Sequence, residues 1–198
     1  MTDVMTKVDS VGQLILAFRA VEPRSDTARK LDLLLDLDRI DDPRVLSFLL
    51  GVLRDDGEPE RVRVEVLSRL RDAPLPDREH RRVGRTIGRL TLVESSQMEV
   101  RKQAALVLGK FVDVEGVLDA LGVVLMDEAA PPELRYNAFT SLYLRGPTVD
   151  TVELLTTLTS DETLGPCAGH LLRAWDAMLP PACRGFPSLQ SGTEGGRG

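Results

Sequence analysis

Apolar residues along this chain recur, segment after segment, at the spacing of one helix face. Val100, Ala104, Val107, Leu108 and Phe111 follow an i, i+4, i+7 pattern, which a period of 3.6 residues gathers into a single stripe. Val62, Val66 and Leu70 carry the same pattern earlier in the chain. Leu134, Ala138 and Leu142 carry it later, and Ala168, Leu171, Leu172 and Trp175 carry it last. Between these segments a second set of helices is predicted at roughly 9–20, 42–54, 77–93, 115–126 and 148–159. Its stripes include Val11, Leu14, Ile15 and Phe18, and further on Val117, Leu118, Leu121, Val124 and Leu125. Asp42-Pro43, Asp56-Gly57, Pro74 to Asp77, Pro131-Pro132 and Gly146-Pro147 mark the turns, because these residues start helices or cannot continue them. The pattern predicts an all-α chain of about ten helices in five antiparallel pairs. It places a lead-in at 1–8, one repeat domain at 9–179, and a Pro-, Gly- and Ser-rich tail at 180–198 that should be disordered.

The pairs share a skeleton. An acid is followed seven residues later by an arginine, and the residue before the arginine is apolar. Glu22 and Arg29, Asp56 and Arg63, Glu94 and Arg101, and Glu128 and Arg135 form this set, with Ala28, Val62, Val100 and Leu134 before the arginines. The arginines stand 34, 38 and 34 residues apart. A further step of 34 reaches Gly169, which has Ala168 before it and Glu162 seven residues earlier, so the last unit keeps the skeleton without its arginine. Such a period is expected of a helical array, since one hairpin cannot bury its apolar stripe alone and stacked hairpins can.

Val62-Arg63, Val100-Arg101 with Ala104, and Leu134-Arg135 with Ala138 each open the second helix of a pair. With the turns Asp42-Pro43 and Asp55-Asp56, they make residues 9–179 resemble the HEAT-repeat family. The resemblance implies a short α-solenoid of about five HEAT-like hairpins. It also implies a ladder between stacked repeats, which Glu22/Arg29, Asp56/Arg63, Glu94/Arg101 and Glu128/Arg135 would supply here. The first unit departs from the pattern with Asp32 where the third has Ala104, and the fifth departs with Gly169. Both read as caps of the array.

Composition narrows the functional classes. Of 198 residues, 42% are hydrophobic but only 4% aromatic, so Leu, Val and Ala carry the core, which suits helix packed on helix. A net charge of −6 and a pI near 5.1 argue against general nucleic-acid binding, which needs a basic footprint. There is neither a signal-peptide pattern nor an apolar run long enough to span a bilayer. Cys167 and Cys183 fit neither a disulfide framework nor a zinc spacing. A cytoplasmic setting, with no cofactor, metal or catalytic set, is the expectation.

Two surfaces remain as candidates for a partner. The helix around 77–93 carries Arg78, Arg82, Arg85 and Arg89 opposite Val83, Ile87 and Leu90, an Arg stripe that is either a solvated face or a contact for an anion or an acidic protein. Gly84 and Gly88 lie beside its apolar face. In solenoids of the resembled type the second helices line the concave side. Their outward positions would be Lys30 and Leu34, Val64 and Ser68, Lys102 and Leu106, then Tyr136, Thr140 and Tyr143, and finally His170 and Ala174. The two tyrosines, seven apart, share a face and suit an interface, where a ring offers apolar area and a polar handle. His80 reads as solvated and Trp175 as core. The leading expectation is a non-enzymatic adaptor that binds another protein on this concave face. The resemblance leaves two alternatives: HEAT-like bilin lyases or isomerases, and HEAT-like DNA glycosylases. A pocket formed by Cys167, His170 and Trp175 would mark an enzyme, and a basic concave face a nucleic-acid binder.

Overall fold

The structure, a computed structural model, describes residues 9–22, 26–38, 40–94 and 96–178. The expected lead-in and tail lie outside these residues. Among them are ten α-helices and no strand: α1 (Ser10–Ala20), α2 (Thr27–Asp38), α3 (Pro43–Arg54), α4 (Glu60–Asp72), α5 (Asp77–Leu92), α6 (Met98–Val107), α7 (Val117–Met126), α8 (Pro132–Arg145), α9 (Val149–Leu158) and α10 (Gly165–Met178). A 3₁₀ turn, Leu108–Phe111, follows α6. The chain divides between Arg145 and Gly146 into two compact units, and the division falls inside the stretch read above as one repeat domain.

Local chemistry sets the helix starts. The Asp9 side chain accepts from Gly12 N–H at the start of α1, and Asp42 accepts from Arg44 N–H ahead of Pro43 in α3; both satisfy donors that the helix itself cannot. In α9, Thr148 and Thr151 form a reciprocal capping box. Gly116, in the left-handed region at φ 81°, delays α7 to Val117, two residues after its predicted start.

In the first unit α2, α4, α6 and α8 pack in succession, and so do α1, α3, α5 and α7. In three of the four hairpins an arginine of the second helix closes the end of the first. Arg63, 0% exposed, donates from Nε and Nη2 to the Leu53 carbonyl at 3.1 and 2.9 Å. Arg135 does the same to Leu125 at 3.0 and 2.7 Å, and Arg101 Nε reaches the Thr91 carbonyl at 3.2 Å. Each acceptor lies ten residues back and is the penultimate residue of the preceding helix. Helix ends leave such carbonyls orphaned and carry partial negative charge, so a guanidinium there satisfies both needs. The acid seven residues before the arginine reaches it at Asp56, 2.9 Å from Arg63. That carboxylate is 61% exposed, so the carbonyl bond is the better-shielded contact. Glu94 and Arg101 form no ion pair, because Arg101 turns to Thr91 instead.

The first hairpin differs from its expected register. Arg29 and Ala28 are exposed, while Lys30 is 1% exposed and Leu34 fully buried, so neither Lys30 nor Leu34 stands on an outward face. The buried set Leu33, Leu34 and Leu37 lies 33 residues before Val66, Leu67 and Leu70, which brings Lys30, not Arg29, onto the place of Arg63. Lys30 Nζ pairs with the buried Glu58 at 2.6 Å and sits 4.5 Å over the Phe18 ring. The Gln97 amide then bonds the Glu58 carbonyl at 3.2 Å and accepts from Arg63 at 3.2 Å, so one polar thread ties α2, α4 and the turn before α6.

The stripe of α6 does continue to Phe111, but as a 3₁₀ turn. Ser141 of α8 accepts from Gly109 N–H at 3.0 Å and donates to the Ala105 carbonyl at 2.6 Å or the Leu106 carbonyl at 2.8 Å. The hydroxyl thus bridges the two groups an unbroken α-helix would join directly, a known cause of local rewinding. Gly109 is needed for this approach, since a Cβ there would lie 3.1 Å from Ser141 Cα. Gly84 plays a like part, where a Cβ would come 3.0 Å from that of Phe111; at Gly88 an added Cβ would make only ordinary contacts.

The second unit pairs α9 with α10, with Ala168, Leu171 and Trp175 buried. Cys167 and His170 are exposed.

Two stability outcomes follow from these contacts. Arg63→Ala leaves the Leu53 carbonyl and the Gln97 amide without their buried donor, and should cost about 3 kcal/mol in urea unfolding, against about 1 kcal/mol for Arg101→Ala. Ser141→Ala should cost about 1–3 kcal/mol by the same assay, having stranded the Gly109 N–H. Equal losses at Arg63 and Arg101, or none at Ser141, would contradict the bonding described.

Candidate functional site

Two faces of the first unit carry the polar and apolar groups left over after packing. The even helices form one. On α8 the residues Leu134, Arg135, Ala138, Ser141 and Leu142 turn inward, which leaves Tyr136, Thr140 and Tyr143 on the opposite side by helical periodicity. Tyr136 is 43% and Tyr143 58% exposed. Thr140 spends its hydroxyl on the Tyr136 carbonyl at 2.9 Å, so it presents mainly its methyl group between the rings. Asn137 donates to the Lys102 carbonyl at 3.0 Å and fixes α8 beside α6, where Lys102 and Leu106 are half-buried. Ser68, further along on α4, donates to the Val64 carbonyl and accepts from Gln103. The five residues Lys102, Leu106, Tyr136, Thr140 and Tyr143 therefore lie on two adjacent, hydrogen-bonded helices. Their electrostatics lean acidic. Lys102 pairs with Glu99, which raises its pKa, and the more distant Glu133 and Glu60 add to the effect.

The odd helices form the other face. Arg78, Arg82, Arg85 and Arg89 are all exposed on α5, opposite the buried Val83, Ile87 and Leu90. Arg85 meets Glu115 at 3.0 Å, and Arg82 meets Glu79 at 3.4 Å. Beside the stripe, His80 Nε2 is 3.2 Å from Asp113 and its ring 4.6 Å from that of Phe111, so His80 is held in place and is not simply solvated. Arg44 on α3 is clamped between Asp9 and Asp42, each at 2.8 Å. Its hydrogen bonds hold the Asp9 carboxyl down to about 2, with the Gly12 N–H adding to the effect, and lower Asp42 as well.

The fourth arginine-type contact in this unit is made by a lysine. Lys110, from the 3₁₀ turn, donates to the Leu70, Arg71 and Ala73 carbonyls at the end of α4, and burial lowers its pKa. Arg69 likewise reaches the Leu34 carbonyl at 2.8 Å and pairs with Asp38 at the end of α2. Neither was singled out by the sequence pattern. Both face neighbouring hairpins, which a stripe within one helix does not reveal.

Among the described residues no group of three or more His, Cys, Asp or Glu could hold a metal ion, and no helix is long and apolar enough to cross a membrane. No protein-family model matches the chain, and no curated protein matches it.

The Asp9–Arg44 clamp sets an acid response. Asp9 has its pKa lowered in the folded chain, so the stabilisation it gives is complete above its ordinary value of 3.8 and lost as pH falls towards about 2. Asp9→Asn should therefore flatten the loss of helicity, followed by circular dichroism, across that window; an unchanged acid transition would show the clamp to be idle.

Proposed function

We propose that this chain is a non-enzymatic adaptor of the HEAT-like kind, with helical hairpins stacked as an α-solenoid of about five, working in the cytoplasm. Its partner is another protein, bound across the even helices at Lys102, Leu106, Tyr136, Thr140 and Tyr143. The observation that carries this reading is the pair of exposed rings on one face of α8, flanked by α6. Exposed aromatics that share a face on rigid, adjacent helices are where binding energy concentrates, because little rotamer freedom is lost on docking. The acidic rim around Lys102 favours a partner with basic residues outside an apolar centre.

The enzyme alternatives draw no support from Cys167, His170 and Trp175, since Trp175 packs inward while the other two stand on the surface. A glycosylase-like reading would need a basic surface on the even helices, whereas the exposed arginine stripe lies on α5, an odd helix.

Tyr136→Ala/Tyr143→Ala should weaken partner capture in an affinity pull-down by about thirty-fold, the equivalent of roughly 2 kcal/mol at a hot spot, with an unchanged melting curve. Recovery of the same partners at the same level by both proteins would overturn the proposal.

A further inference from the structure

The arginine stripe extends beyond α5. Arg82 Nη1 stands 3.4 Å from Ser47 Oγ on α3, and Ser47 lines a cleft of about 430 Å³ between α1 and α3. Ile15, Pro43 and Phe48 give that cleft an apolar lining, and Arg19 and Arg44 stand in its wall. A second hollow, of about 250 Å³, continues along Phe18, Gly51 and Val52 towards Asp55 and Glu58, which mark its acidic far end, and shares Arg19, Ser47 and Phe48 with the first. Stripe and cleft are therefore one continuous surface.

Its charge is only partly answered from within. Arg44, Arg82 and Arg85 have carboxylate partners. Arg19, Arg78, Arg81 and Arg89 have none within 4.0 Å among the described residues. A concentration of uncompensated guanidinia is conspicuous on a chain of net charge −6. Arg78, Arg82, Arg85 and Arg89 fall at i, i+4, i+7 and i+11, a ribbon about 16 Å long on a helix.

We infer that this surface is a second docking site, for an acidic polypeptide segment that lies along α5 and seats one apolar side chain in the α1–α3 cleft. Guanidinium forks recognise carboxylates bidentately, and the ribbon matches acids spaced on one face of a helix. The apolar lining gives the segment an anchor that a bare polyanion lacks. Nucleic acid fits less well: its charge recurs at every phosphate and would meet Glu79, Asp113 and Glu115, whereas carboxylates spaced on one helix face can fall on the arginines alone. The site is independent of the tyrosine face, so the chain would join two partners of opposite charge.

The test is fluorescence anisotropy of the full chain with a labelled helical peptide about 18 residues long, carrying Glu at i, i+4, i+7 and i+11 and one Leu a turn beyond. Binding should weaken with added salt. Arg78→Glu/Arg82→Glu should weaken it about ten-fold or more without changing the melting curve. Ser47→Trp, which fills the cleft, should remove the advantage of the Leu peptide over its Ser counterpart. Tyr136→Ala/Tyr143→Ala should leave the affinity unchanged. The inference is overturned if the wild-type chain does not bind the peptide, if charge reversal leaves binding intact, or if single-stranded DNA of similar length or vesicles of anionic lipid bind more tightly than the peptide.

Discussion

An α-helix ends in carbonyls that its own backbone cannot reach, and in the first unit the ends of α3, α5 and α7 hold such carbonyls against the following helix. The molecule meets this constraint with cations. Arg63, Arg101 and Arg135 close the ends of α3, α5 and α7, Lys110 closes the end of α4, and Arg69 reaches the end of α2. Each brings positive charge to the negative pole of a helix while its aliphatic stem packs in the core. The apolar stripes supply the bulk of the driving force, but they are non-directional. The carbonyl bonds decide how far each helix slides along its neighbour. A buried guanidinium held mainly by backbone oxygen and an amide, as Arg63 is, tolerates no apolar replacement that keeps those acceptors satisfied.

Much of the fold was legible because it is written in period. The stripes of α4, α6, α8 and α10 and the bounds of α1, α3, α5 and α9 emerge within a residue or two of their predicted places. What period could not resolve was register in α2, where Leu31, Leu33, Leu34, Leu35 and Leu37 crowd one short helix and allow more than one stripe. Alignment on the nearest arginine chose Arg29, whereas burial chose Lys30, because Leu33, Leu34 and Leu37 contribute more on entering the core than any charge pair does on the surface. The role of the arginines was legible only as a repeat. That their main partner is a carbonyl rather than an acid depends on where the preceding helix ends, which is a tertiary fact. Ser141 was illegible for the same reason, since a hydroxyl inserted in a neighbour's ladder leaves no mark in its own helix.

The candidate surfaces divide in the same way. The arginines of α5 and the tyrosines of α8 could be placed by helical angle alone, and their exposure agrees with that placement. The cleft beside Ser47 and the acidic setting of Lys102 arise between helices and needed the packed unit. The odd face carries the arginine stripe and the even face the carboxylates around Lys102, although neither lies far from the other in sequence: the odd helices alternate with the even ones, so alternate segments of the chain feed different faces. Steering by such fields acts on encounter rates more than on final affinity.

The ten-residue span from Arg63, Arg101 and Arg135 to their carbonyls also bears on how the chain reaches this structure. Contacts so close in sequence form after the closure of a short loop, on the order of 10–100 ns, and cost little chain entropy. The bonds between successive even helices, such as Asn137 to Lys102 and Ser141 to Ala105, span 35 and 36 residues. Topology therefore favours an order in which each hairpin shuts on itself before it meets its neighbour. A ribosome releasing the first unit from its N-terminal side would deliver finished hairpins one at a time, each adding to a surface already built.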